Sequence, residues 1–314
     1  MWGYGTEEQR QLFELQRQLF ARTVEAEIES ARLAHKIIPT YPLDASARAV
    51  SADRFDYGTG RVDDQTQLAL EELARQFSLT RQQAEDTSLA SAAVVIRRAA
   101  QELAREHDDR VFRVAIRNSI VDAFGPEAKT EQKANFNLIQ PHDASDVSGD
   151  SIVSATASAV ATLDKVGYRT SYVMVAGQEV YRRLHSRAAG AADLPMVAVR
   201  GLLEDGPVHR SGVLDPNEAL IMSLGMSLGA ADGPKSDYAP IDRAVAVEPR
   251  TEFLRIEEEV DSKDKSKSEE LRTWELNERF ITRFKETKSV VLLQPETGGT
   301  QQPETAGHQR QTRG

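Results

Sequence analysis

The stretch from Glu85 to Ala115, EDTSLASAAVVIRRAAQELAREHDDRVFRVA, constrains this chain more than any other. Leu89, Ala92, Ala93, Ile96, Ala99, Ala100 and Leu103 recur at the spacing of one helix face. Thr87 or Ser88 is placed to cap the helix, with Glu85 and Asp86 beside the positive end of its dipole. The period gives out at Glu106-His107-Asp108-Asp109, and an apolar run, Val111-Phe112-Arg113-Val114, follows. A face so rich in alanine lets other backbone come close along its length, which predicts a central packing spine.

Glu7 to Lys36 predicts a second long helix, with Leu12, Phe13, Leu19, Phe20, Val24, Ile28 and Ala31 inward and Pro39 and Pro42 ending it. Such a terminal amphipathic rod must cover apolar surface, on its own core or on a neighbour's. Its polar face, with Glu14, Arg17, Glu25, Glu27 and Glu29, is too acidic for a membrane surface. Tyr41 to Arg81 then reads as an extended arm. Weak strand patterns at Ala49–Phe55 and Gln67–Thr80 flank the turn signal Tyr57-Gly58-Thr59-Gly60, although LALEELARQFSL fits a helix nearly as well. An isolated hairpin is marginal, so the arm implies pairing with other subunits.

From about residue 150 to 225 short helices and strands alternate, the signature of one compact α/β unit. Its helices are expected at Ser151–Lys165, ended by Gly167, and at Gln178–Ser186; Met196–Leu203 is helical or extended. Its strands are expected at Tyr172–Val175 and Ala219–Leu224. Val245–Ile256 and Thr273–Phe284 read as strands flanking a charged segment, Glu257–Glu270, which is expected to be a solvated loop. Ser289–Leu293 is a last apolar strand, and the following tail lacks any large apolar residue, which predicts disorder.

Composition narrows the chemistry. A net charge of -10 argues against nucleic-acid phosphates as the main partner. The absence of cysteine removes disulfides and thiolate metal sites. The opening residues predict no secretory leader, and no run of about 18 apolar residues predicts a membrane span, so a cytoplasmic protein is expected. Gly225-Met226-Ser227-Leu228-Gly229 matches a nucleophile elbow, but the sole downstream histidine is His308 in the tail. Gly229 to Ser236 approaches a phosphate loop but places Pro234, which has no N–H, before Lys235. Glu102, Glu106, His107 and Asp108 could be imagined as metal ligands, yet no second Glu-x-x-His segment partners them. No catalytic residue, cofactor or metal site is assigned, and the chain is not expected to be an enzyme.

Taken in order, the parts resemble the encapsulins, shell proteins of the linocin/bacteriocin-type nanocompartment family that share the tailed-phage (Hong Kong phage) major-capsid fold. Ala31-Arg32-Leu33-Ala34-His35-Lys36-Ile37-Ile38, followed by Pro42-Leu43, is similar to the end of that family's N-terminal helix. Gln76-Phe77-Ser78-Leu79-Thr80 and the helix to His107-Asp108-Asp109-Arg110-Val111-Phe112 resemble its strand, spine and acidic–apolar ending. Ile152–Gly167, Tyr172–Val175, Val180–Leu184, Ser211–Leu214 and Glu218–Ser223 resemble its A-domain, and Asn277–Phe284 with Val290–Leu293 its final strands. The likeness spans about residues 7 to 294 and rests on order and spacing. Arg113-Val114 stands where relatives carry a glycine, and the Glu257–Glu270 segment and tail look like additions.

The resemblance implies an α+β capsid-like fold. Its parts would be an N-terminal helix (1–43), an E-loop (44–82), a P-domain with the spine helix (83–134), an A-domain (135–240), return strands (241–294) and a tail (295–314). It implies an icosahedral shell of identical copies enclosing a cargo enzyme, a peroxidase or ferritin-like protein docked through a short terminal peptide. The alternative within the fold is a phage or prophage capsid enclosing DNA, against which the lack of a long scaffolding segment speaks. By position, His35, Ile37, Ile38, Trp274, Leu276 and Phe280 are the candidate cargo-binding residues, with plain core packing the competing reading. Ala188, Ala189, Gly190, Ala191, Ala192 and Asp193 correspond to the five-fold pore loop. The aromatic that holds a flavin in some relatives is absent around Gln82-Gln83, so no flavin is expected.

Overall fold

The computed structural model describes residues 7–56, 59–86, 90–117, 148–168, 172–187, 193–224, 239–260 and 268–294. The N-terminal rod is α1 (Glu7–Ala31), and after a break at Arg32-Leu33 a single turn, α2 (Ala34–Ile37), leads into β1 (Thr40–Pro42). The spine is α4 (Ala90–Asp109), preceded by the short α3 (Arg81–Glu85) and continued by a wider, π-helical turn over Arg110–Ala115. Phe20, Val24 and Ile28 of α1 are buried in one core with Ala92, Ile96, Ala99, Ala100 and Leu103 of α4. The second half of the rod thus finds its apolar partner on its own chain. Of its described side chains, Leu19 is left 41% exposed.

The arm behaves differently. Among the described residues β2 (Ala49–Ser51) pairs only with β5 (Gln67–Ala69), and β3 (Arg54–Asp56) only with β4 (Arg61–Asp63), making two small antiparallel ribbons. Val50 and Ala52 are their buried apolar residues, whereas Val62 is 57% exposed. The ribbons are tied back by Arg283, whose guanidinium bonds Asp53 at 2.9 Å and the Ser51 carbonyl, forks onto buried Asp242 and lies 4.3 Å above the Tyr41 ring. The ambiguous LALEELARQFSL segment is strand nearly throughout: β6 (Glu71–Thr80) follows β5 and lies in a long sheet. Its Leu73, Phe77 and Leu79 are buried and Arg75 half-buried on one face while Glu72, Ala74, Gln76 and Ser78 are exposed, the two-residue alternation of a strand.

That long sheet has the order β1-β10-β11-β6, where β10 is Ile241–Val260 and β11 is Ser268–Phe284. β1 runs parallel to β10, and the other pairs are antiparallel. The charged segment Glu257–Glu270 is strand at both ends rather than loop, because the ladder continues through Glu257↔Leu271, Glu258↔Glu270 and Glu259↔Glu269; residues 261–267 lie outside the described residues. Backbone pairing extends past the apolar pattern that marks the strands in sequence. Trp274 on β11 fastens the hairpin to the helices: it stacks on Phe77 at 5.8 Å and meets Phe20 of α1 and Phe253 of β10 edge-on at 5.5 and 5.4 Å.

A second sheet, β12-β9-β7-β8, combines β7 (Tyr172–Ala176), β8 (Val208–Arg210), β9 (Ala219–Ser223) and β12 (Val290–Leu293). Helices Gly149–Val166, Gln178–Leu184 and Pro195–Leu202 cover one of its faces, so Met196–Leu203 resolves as helix. The first of these starts at a Ser148 cap and stops at Gly167, whose φ of 109° is open to glycine. Alternation divides the strands: Val173, Val175, Leu220 and Met222 join the spine's core, while Tyr172, Met174, Ala176, Ala219 and Ile221 join a second core under the helices. The stretch 241–294 thus serves both halves, with β10 and β11 in the long sheet and β12 in this one.

Truncating Trp274 to alanine removes the ring shared by α1, β6 and β10, and should cost about 3–5 kcal/mol in chemical denaturation.

Candidate functional site

The candidate cargo residues lie where the rod ends. The helical path of α1 stops at Ala31 because Asp108 of the spine captures the next backbone: Leu33 N–H lies 3.1 and 2.9 Å from its two oxygens, and Ala34 N–H 2.9 Å from Oδ1. A carboxylate from another helix thereby takes the role a local cap residue has at most helix starts. Arg32, at the break, is buried and reaches Glu278 of β11. His107, beside Asp108, is buried against Glu278 as well, with Nδ1 3.0 Å from Oε1. Its ring stacks on Phe280 at 4.1 Å. The tautomer with Nδ1–H donating to Glu278 and Nε2 accepting from Arg243 Nη1 at 3.4 Å satisfies two of the three ring contacts, while Arg32 Nη2, a donor 2.9 Å from Nδ1, is served by Glu278 instead.

Arg243 of β10 completes the cluster. It is fully buried, donates to the Ile38 carbonyl and Thr40, and lies 2.8 Å from His35 Nδ1. Burial lowers its pKa to about 10, helped by the neighbouring Arg32 charge. Burial likewise holds His107 down at about 4 against the pull of Glu278, so its ring is neutral near pH 7. Burial pushes Asp108 up to about 6, opposed by the Ala34 and Leu33 amides. Glu278 keeps a lowered pKa: burial raises it, but the His107 hydrogen bond and the charges of Arg32 and Arg243 prevail.

The six candidates are gathered at this place but share one solvent-facing member. Ile37, Ile38, Trp274, Leu276 and Phe280 all belong to the spine's core. His35 is exposed, and its pKa is lowered by partial burial and by Arg243. Of the pore-loop residues, Asp193 is described, exposed two residues before the helix that begins at Pro195; Ala188, Ala189, Gly190, Ala191 and Ala192 lie outside the described residues. Gly225–Gly229 with Ser227, the Gly229–Ser236 segment and His308 also lie outside them.

Sequence reasoning missed the polar cluster itself. The signal was present: His107 and Asp108 continue the buried stripe of Leu103 and Ala104, four residues on. Charged residues on the apolar face of a helix require partners. The imagined metal set divides accordingly, with Glu102 paired to Arg98, Glu106 to Arg75, His107 to Glu278, and Asp108 to backbone. Among the described residues no group of three or more His, Asp or Glu side chains could hold a metal ion. Among them, too, no helix is long and apolar enough to cross a membrane.

Comparison with known proteins places this geometry. The sequence matches the family described as encapsulating protein for peroxidase over residues 15–228. A virus-like particle subunit from Pyrococcus furiosus superposes with a TM-score of 0.63 at 13% identity, covering 87% of this chain and 97% of that one. A chain from Mycobacterium phage Cain gives 0.54 at 12%, covering 86% and 92%, and one from Mycobacterium phage Adephagia gives 0.51 at 11%, covering 87% and 91%. These likenesses establish a capsid-type fold. No curated protein sequence matches the chain.

Replacing Glu278 with alanine strands Arg32 and His107 without their shared carboxylate. A loss of about 3–5 kcal/mol of unfolding free energy is expected in denaturant titration.

Proposed function

The chain belongs to the encapsulin family, described as encapsulating protein for peroxidase, and is a shell-forming protein; we propose that it closes into an icosahedral cytoplasmic nanocompartment around a cargo enzyme. The observation that carries this reading is the family match, which spans the rod, the arm, the spine and most of the α/β unit. The arm supports it physically. Its two ribbons bury little within the chain, and two-stranded ribbons are marginal alone, so neighbouring copies supply the surface that orders them.

The cargo in this reading is a peroxidase, the enzyme class in the family's description, with a ferritin-like protein the other class that the resemblance supplies. It docks through a short terminal peptide. The five buried candidates shape the floor from inside the core, and His35 is the side chain that meets the peptide at the surface. The 188–193 loop lines the five-fold opening. Catalysis belongs to the cargo and none to the shell. A phage capsid shares the fold, and the chain's charge of -10 favours protein over nucleic acid as the content.

Electron microscopy and light scattering of the purified full chain should give closed hollow particles. A monomer or small oligomer would overturn the shell. Mass spectrometry of the particles should find a co-purifying enzyme, and packaged nucleic acid in its place would turn the assignment to a capsid. His35→Ala should still assemble but retain less cargo; unchanged cargo content would remove His35 from the docking site.

A further inference from the structure

The polar cluster at the rod's end holds two neighbouring groups whose burial has opposite chemical consequences. His107 is buried with a neutral ring, while Asp108, the next residue, is buried as an acid. Both act on one short segment. His107 shares Glu278 with Arg32, and Asp108 takes the amides of Leu33 and Ala34. No other residue pair in the described structure couples two adjacent ionisable groups of the spine to the point where α1 leaves it.

The surrounding charges are fixed by geometry. Facing His107 are Glu278 from β11, Arg243 from β10 and Arg32 from the α1–α2 break. Asp108 faces the two amides, with the Arg32 and Arg243 charges nearby. Farther out, Glu248 lies 3.9 Å from Arg32, and Glu29 and Glu248 act on exposed His35. A proton added to Nε2 of His107 would point at the Arg243 guanidinium, leaving three cations around Glu278. A proton added to Asp108 places no new charge in the core and removes the cost of burying one.

We propose that His107 and Asp108 form a proton-compensated joint, which keeps the end of the N-terminal helix seated on the spine as the surroundings acidify. In the seated state His107 holds its proton only below about 4, against an ordinary 6.5 when released. Acid therefore favours release through His107, beginning as pH falls through the released value and levelling off below the seated one. Asp108 runs the other way. Seated, it takes a proton at about 6, against 3.8 when released, so acid favours the seated state across that interval. The two intervals overlap almost completely, and these two contributions largely cancel; exposed His35, held below its ordinary value by partial burial and Arg243, adds a release contribution common to the wild type and both variants. Glu278, held below its ordinary 4.5, enters only at still lower pH, where it favours release.

The test is hydrogen exchange of the Ile28–Ile38 segment in the purified full-length protein, corrected for the intrinsic pH dependence of exchange. Between pH 7 and pH 5 the wild-type protection should change by no more than about 3-fold. Asp108→Asn leaves His107 uncompensated, and its protection should fall roughly 20-fold over the same range. His107→Gln keeps a donor toward Glu278 and leaves Asp108 uncompensated, so its protection should rise roughly 10-fold. The opposite signs separate compensation from a merely structural role, which would lower protection equally at both pH values. Should Asp108→Asn fail to fold, the His107→Gln profile decides alone. A wild-type protein that loses protection more than about 10-fold, or a His107→Gln variant with a flat or falling profile, would overturn the joint.

Discussion

Two buried carboxylates, Asp108 on the spine and Glu278 on β11, set the geometry around which the first half of this protein is arranged. Each is almost fully removed from water, and each is satisfied by groups distant in sequence: backbone amides at 33 and 34 for one, Arg32 and His107 for the other. Leaving either unpaired in that interior would be prohibitive, so the fold is obliged to bring the rod's end, the spine and the central strand of the sheet together at one point. The break between α1 and α2 follows directly. Helix continuation would withhold the amides that Asp108 requires, and the turned chain instead enters β1, which pairs with β10 beside Arg243.

Specificity of this kind matters for a rod packed mainly through Phe20, Val24 and Ile28. An apolar stripe alone tolerates sliding by a helical turn, because the replacement residues are also apolar. Carboxylate-to-amide bonds do not tolerate it. The apolar contacts therefore supply most of the attraction, and the polar cluster fixes where along the spine the rod stops. The Trp274 ring adds a second stop, since Phe20, Phe77 and Phe253 converge on it from three different elements.

Much of this architecture is written in periodicity. The spine, the Gly167-terminated helix and the fully buried strands of the second sheet follow from apolar spacing and one left-handed glycine. What spacing cannot carry is tertiary pairing. Leu73, Phe77 and Leu79 read equally as helix or strand until β11 provides a ladder, and Glu257, Glu258, Glu259, Glu269 and Glu270 look solvated although their backbones pair. The same holds at the site. Ile37, Ile38, Trp274, Leu276 and Phe280 could be located from sequence order, but that they share one buried core with α1 and the spine is a tertiary fact that spacing does not carry. His107 and Asp108 were legible as charged residues on an apolar stripe, and illegible as to partner.

The contrast between rod and arm explains why a chain with two large cores still assembles. Phe20, Val24 and Ile28 of the rod are already buried against its own spine, so that part of the helix adds rigidity to the subunit. The ribbons of residues 49–69 are the reverse. Their ties to the body include polar contacts around Arg283 and the Phe55 amide bond to the Lys285 carbonyl, and these hold the β2–β3 side of the arm while Val62 on β4 stays exposed. A fixed root with an uncovered tip aims unsatisfied surface in a defined direction. Identical copies that each aim such a surface at the next satisfy it reciprocally, and closure of that relation around a centre is what makes a shell.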